Sequence, residues 1–181
     1  MPALTSDPQL FGLCREADPR IDDLLLGLAS TLQANGYRLA GFVQNNAASE
    51  AENIQGILLH NLMSGDIHDV SEQRGAGALG CSLDWGALAE LASELERQLQ
   101  SDTPALVVIN RFGKAEAEGR GFCAVIETCL ERDIPILVAY RTGYAAAWAN
   151  YHGGYARELL AQSQHELIAE LGLPAARKAS P

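Results

Sequence analysis

Ala105-Leu106-Val107-Val108-Ile109-Asn110-Arg111-Phe112-Gly113-Lys114-Ala115-Glu116-Ala117-Glu118-Gly119-Arg120-Gly121 is the stretch whose reading decides the fold. Its first five residues are apolar without a break, the pattern of a strand covered on both faces in a parallel sheet. The next twelve read as a loop, Asn110–Gly121, that carries Asn110, Arg111, Lys114, Glu116, Glu118, Arg120 and three glycines. Open α/β sheets hold ligands at the carboxyl ends of their strands, and glycines let such a loop turn tightly. A helix starting near Gly121 would aim its positive end at the same place, which favours an anion. The plain alternative is a solvated loop whose lysine and glutamates pair with one another.

On either side the chain alternates strand and helix. Leu10–Cys14 is a short buried strand. Asp18-Pro19 then starts a helix, with Asp as cap and Pro in the first turn. Ile21, Leu24, Leu25, Leu28 and Leu32 share one face of that helix, and Gly36 ends it. Leu39–Val43 is the second strand, running into Gln44-Asn45-Asn46. Ile57–Leu62 and Asp66–Val70 flank Met63-Ser64-Gly65 and predict a β-hairpin. Gly75, Gly77 and Gly80 mark a loop. Asp84 caps a helix with Leu88, Leu91, Ala92, Leu95 and Leu99 on its buried face. Beyond the central stretch come a helix to Glu131, a strand at Ile134–Ala139 and a short helix at Ala145–Tyr151 that stops at Gly153-Gly154. Ser163 and Glu166 make a capping box, unless a helix runs through from Arg157. The fold class is therefore α/β: an arm at 1–9, one domain at 10–172 and a tail at 173–181.

Composition narrows the partners. Against 23 acidic residues stand 13 basic ones, and the net charge of −10 argues against a nucleic-acid backbone or an anionic membrane face. No apolar run reaches the ~18–20 residues that cross a bilayer. Met1–Pro8 has neither the basic start nor the apolar core of a secretory leader, so none is expected. The cysteines Cys14, Cys81, Cys123 and Cys129 contain no C-x-x-C pair, which fits reduced thiols in the cytoplasm. Cys14, beside Arg15, reads as a small buried hydrophobe.

The Asn-Arg-Phe-Gly-Lys-x-Glu-Ala-Glu-Gly-Arg-Gly stretch, with Gly80-Cys81-Ser82-Leu83-Asp84 and Ala40-Gly41-Phe42-Val43-Gln44, resembles a bacterial family, domain of unknown function 2478. The resemblance runs from about Leu10 to Leu171. It implies a degenerate relative of the P-loop nucleoside triphosphatases: a three-layer domain with a mostly parallel central sheet and an inserted β-hairpin. It also implies genes encoded near those of molybdate transport. A working P-loop carries G-x-x-x-x-G-K and a hydroxyl after the first strand, to wrap phosphates and hold magnesium. Here Arg15-Glu16-Ala17-Asp18-Pro19-Arg20-Ile21-Asp22 has no glycine, lysine or hydroxyl. Where related triphosphatases carry Asp-Glu-x-Gly-Lys-x-Glu, this chain has Asn110, Arg111, Gly113, Lys114 and Glu116. An amide and a cation replace two carboxylates, so the phosphate cradle and the metal anchor go together.

The family resemblance further implies a C-x-x-C cluster before the hairpin, where this chain reads Ile54-Gln55-Gly56-Ile57. His60, His68 and Cys81 are left as weak candidates for a soft metal. No cofactor is named by the residues.

Three functions are consistent with these observations. The leading one is a binding protein for a small anion, a nucleotide phosphate or an oxyanion such as molybdate. Arg111 and Lys114 would supply charge, Asn110 and Gln44 neutral hydrogen bonds, and Arg15 or Arg20 a lid, with Glu116 and Glu118 orienting the cations; Arg120 is counted with them as a ligand-binding residue. The second is a nucleotide hydrolase or transferase using Glu116 or Glu118 as base. The third is a homo-oligomeric scaffold meeting its partner through exposed Trp85, Trp148 or Tyr151, although packing is the better reading of these aromatics.

Overall fold

The computed structural model describes residues 9–15, 20–45, 56–72, 83–161 and 163–173. In chain order its elements are β1 (Leu10–Arg15), α1 (Arg20–Ala34), β2 (Leu39–Gln44), β3 (Leu58–Asn61), β4 (Ile67–Asp69) and α2 (Trp85–Ser101). There follow β5 (Leu106–Phe112), the single turn α3 (Lys114–Ala117), α4 (Cys123–Glu131), β6 (Ile136–Arg141), α5 (Ala145–His152), β7 (Arg157–Glu158) and α6 (Gln164–Glu170).

The strands form one seven-stranded sheet in the order β4-β3-β2-β5-β6-β1-β7. β2, β5, β6, β1 and β7 run parallel, and β3 and β4 add the expected antiparallel hairpin beside β2. Alternate residues of a strand face opposite sides, and β5 shows it. Val107 and Ile109 enter a core with residues of α2, α4 and α5, while Leu106 and Val108 enter one with α1 and α6. Three layers result, and β5, at the centre of the sheet, accounts for the continuous apolar run.

The helices form where spacing and caps put them. In α1, Ile21, Leu25, Leu28 and Leu32 are buried, each such leucine contributing about 1.5–3 kcal/mol. Leu24 is only partly covered. Asp84 Oδ1 accepts from the N–H groups of Gly86 and Ala87 at 2.9 and 3.0 Å, satisfying donors that the first turn of α2 leaves open. Ser163 and Glu166 close the capping box of α6.

Several expectations are corrected. β5 does not end at Ile109 but continues to Phe112, because the Phe112 ring is fully buried against Trp148 and Tyr151, at 5.3 and 5.5 Å between centroids. The loop thus begins at Gly113 and contains the helical turn α3. No helix runs through from Arg157, since Arg157-Glu158 pairs with β1 as a sheet edge. Trp148 is 1% exposed and belongs to the core, as the packing reading has it, which removes it from the contact residues of the scaffold alternative. Cys14 is exposed, at the carboxyl end of β1 where the burial of the strand stops, and is not a buried hydrophobe. Asp18-Pro19, Asn46, the segment at 51–55, the Gly75–Gly80 loop and Cys81 lie outside the described residues, as do 1–8 and 174–181.

Candidate functional site

The carboxyl ends of β5 and β2 open on a cavity of about 270 Å³. Gln44, Asn110, Arg111, Lys114 and Glu116 line one part of it, so five of the nine predicted residues are brought together. Ile57, Leu59, Val70, Leu83, Leu88 and Phe122 line the rest, with Trp85 at the first turn of α2. The hairpin and α2 therefore build an apolar wall opposite a polar strand end.

Asn110 and Arg111 reach the site through an irregularity in β5. Successive strand residues should face opposite ways. Here the register with β6 passes from Asn110 opposite Ala139 to Phe112 opposite Tyr140, leaving Arg111 as an extra residue. Such a bulge re-aims a side chain. Asn110 Nδ2 donates to Asp22 Oδ1 at 2.6 Å, and the Arg111 guanidinium donates to the same carboxylate at 3.2 and 3.5 Å. Asn110 and Asp22 are 4% and 1% exposed, so this is a buried polar network. Asn110 Oδ1 has no hydrogen-bond partner among the described residues. Burial pushes the Arg111 guanidinium down from its usual value and Arg141 adds to this, while Asp22 opposes both. Arginine stays a cation throughout the accessible range.

Asp22 is a residue of the site that the sequence reading does not select. Its signal is present: three residues before Leu25 and seven before Ala29, it lies on the buried stripe of α1, where a charge needs a partner. The partner, 88 residues away in sequence, is not readable there.

Glu116 takes a different part from the one expected. The residue is 4% exposed, with Oε2 accepting from the Gly113 N–H at 2.9 Å and Oε1 from the Phe122 N–H at 3.0 Å. Burial raises its pKa, and those N–H groups offset only part of the rise. The carboxylate thus binds both ends of its own loop and orients no cation through these bonds. It also occupies the start of α4, the positive helix end expected to face an external anion. Gly121 is fixed by this arrangement. Its φ is +60°, and a Cβ there would stand 2.0 Å from Glu116 Oε1.

The remaining candidates separate. Lys114 is exposed at the cavity rim. Glu118 and Arg120 pair with each other at the surface, and the Arg120 guanidinium lies 4.6 Å from the centroid of the Trp85 ring. Arg15 donates to the Ala161 carbonyl and lines a different cleft with Cys14, Tyr140 and Glu158, two strands away from β5. The Arg20 side chain lies outside the described part. His60 pairs across the hairpin with Ile67, and His68 with Leu59. The two imidazoles therefore stand on opposite faces, and strand alternation keeps them from sharing a metal. Among the described residues no group of three His, Cys, Asp or Glu is placed to hold an ion. No helix there is long and apolar enough to cross a membrane.

A second polar network sits at the β1–β7 edge. Glu158 accepts from Trp148 Nε1 at 2.6 Å and from the Tyr140 hydroxyl at 2.7 Å. Burial, together with the Glu158 carboxylate, pushes the Tyr140 phenol up.

A family model described as "Protein of unknown function (DUF2478)" matches residues 10–167. The molybdenum import ATP-binding protein ModC 2 of Bradyrhizobium diazoefficiens is 32% identical over 144 residues, which is 80% of this chain. The chain spans 16% of that protein's length. The solution structure of a human cancer-related nucleoside triphosphatase superposes with a TM-score of 0.60, over 89% of this chain and 93% of that one. At 14% identity that likeness is one of fold.

Proposed function

The chain belongs to the DUF2478 family, and from that premise we propose that it binds a small anion, a nucleotide phosphate or an oxyanion such as molybdate, at the cavity where β5 and β2 end. The observation that carries this reading is the convergence of Arg111, Lys114, Asn110 and Gln44 on one side of that cavity. Arg111 and Lys114 provide the charge, and Gln44 and Asn110 select by hydrogen bonding. The nucleoside triphosphatase fold supports a ligand at the strand ends. Similarity to a molybdenum import ATP-binding protein supports trying molybdate and ATP first.

Binding is favoured over magnesium-assisted phosphoryl transfer. The buried carboxylate at the strand ends, Asp22, already holds an amide and a guanidinium, and a cation in that position opposes a metal ion. Glu116, one of the two glutamates read as a base, is committed to backbone N–H groups.

The test is thermal stabilisation of the purified protein by ATP, ADP, GTP, phosphate, sulfate, molybdate and tungstate, with and without magnesium. A ligand at a hundredfold excess over its dissociation constant stabilises by about 2.7 kcal/mol. The expected result is a shift with at least one anion that is lost in the Arg111→Ala/Lys114→Ala double variant. A shift that survives in that variant places the anion elsewhere and refutes the site.

A further inference from the structure

Resting on that anion-site reading, we infer that the ligand is an organic anion with an apolar, ring-sized body, held with its charge toward Arg111 and Lys114 and its body along the wall made by the hairpin and α2.

Volume and lining both lead there. A cavity of about 270 Å³ far exceeds the ~10–15 Å³ that a single water needs. A tetrahedral oxyanion of five heavy atoms leaves most of that space to solvent. The space it would leave faces Leu59, Val70, Leu83, Leu88 and Phe122, whose side chains offer no hydrogen bond. Wet apolar wall is unfavourable, and an apolar body placed against it recovers that free energy.

The charge is arranged for one end of such a molecule. Arg111 and Lys114 both lie at the strand end. The acid that lines the same cavity, Glu116, has both oxygens turned to Gly113 and Phe122. Trp85 supplies a flat surface at the rim, 38% exposed, with Arg120 over its ring. Small-molecule sites have this composition: mostly apolar lining, with a few convergent polar groups that fix orientation. A flat ring also suits contact with the indole.

The experiment is calorimetric titration of the full chain with inorganic phosphate, phenyl phosphate and phenol, repeated in Trp85→Ala, in Trp85→Gln and in the Arg111→Ala/Lys114→Ala variant. Trp85 is half-exposed, so both of its variants should fold; far-UV circular dichroism checks this. The expected result is that phenyl phosphate binds at least tenfold more tightly than phosphate. Either Trp85 variant should reduce that advantage severalfold, and loss of the two cations should weaken both ligands. If phosphate and phenyl phosphate bind equally, and both depend on Arg111 and Lys114, the organic-body inference is overturned and the anion site stands. If phenol binds as tightly as phenyl phosphate, the cavity is apolar in function, and both the anion site and this inference fall. Absence of binding by all three also overturns both.

Discussion

Asp22→Asn separates the electrostatics of the proposed site from its shape. The Asp22 carboxylate is buried, accepts from Asn110 at 2.6 Å and faces the Arg111 guanidinium at 3.2 Å. Asparagine keeps the volume and can still accept from Asn110, but it removes the charge that offsets Arg111. Arg111 is 22% exposed on its side chain, so the cost lies below the ~3–5 kcal/mol of breaking a fully buried pair. We expect a stability loss of about 1–3 kcal/mol, read from urea unfolding midpoints. Affinity should move the other way. An anion on the far side of Arg111 stands about 7 Å from Asp22, where two like charges repel by about 0.6 kcal/mol at a water-like dielectric and about 2.4 kcal/mol at an effective value of 20. Removing that repulsion should tighten phosphate about threefold to about fiftyfold. Calorimetry at low ionic strength is the assay, because salt screens the effect over about 10 Å. A folded Asp22→Asn protein that binds phosphate no better than the parent would refute the placement of the anion beside Arg111.

Gly121→Ala forces a left-handed side chain into the Glu116 carboxylate, a cost of about 1–2 kcal/mol for the backbone and about 1–3 kcal/mol for each N–H it strands. An unfolding midpoint that moves by less than about 1 kcal/mol would show that the loop is not held this way. Glu158→Ala leaves Trp148 Nε1 and the Tyr140 hydroxyl without their acceptor and should cost about 1–3 kcal/mol. Fluorescence-monitored unfolding in a Trp85→Phe background reads it from Trp148 alone. In a Cys81→Ser background at neutral pH, Cys14 should react readily with a thiol reagent while buried Cys123 and Cys129 do not. Burial pushes those two thiols up to about 11 and about 12; a second fast thiol contradicts this. The same shifts have a sign in stability. Between the ordinary thiol value of 9.0 and these raised values the folded state holds more protons than the unfolded one. The contribution is thus complete below about pH 9 and is lost as pH rises toward about 12, by up to about 1.4 kcal/mol per pH unit per group. Urea midpoints that stay flat above about pH 9 would contradict it.

Much of this protein is legible in its local chemistry. The run Ala105–Ile109 has the pattern of a strand covered on both faces, and Leu25, Leu28 and Leu32 fall at the spacing of one helical stripe. Asp84 and Ser163 announce their helices through the donors they satisfy, and Met63-Ser64-Gly65 announces a hairpin. These signals act over short stretches of chain, which is why one sequence carries them. The end of β5 is not legible in this way, because Phe112 is drawn into the strand by Trp148 and Tyr151, aromatic residues far along the chain. Trp148 reads from its sequence neighbours as packing before contact surface, and its 1% exposure places it in the core.

The site divides along the same line. The sequence by itself determines the residue types at the end of a buried strand, the lack of glycine, lysine and hydroxyl in Arg15–Asp22, and the cations Arg111 and Lys114. Tertiary structure decides how they are used. It puts Asp22 under Asn110 and Arg111, turns Glu116 onto the backbone of its own loop, moves Arg15 to another cleft and sets His60 and His68 on opposite faces. It also supplies an apolar wall from a hairpin and a helix that nothing in the Asn110–Gly121 stretch foretells. The physical reason is common to all of these. Strand, turn and cap follow from each residue's own backbone preferences and its near neighbours. The charge partner of a buried group and the far wall of a cavity are set by whichever distant segments the packing brings within a few ångströms.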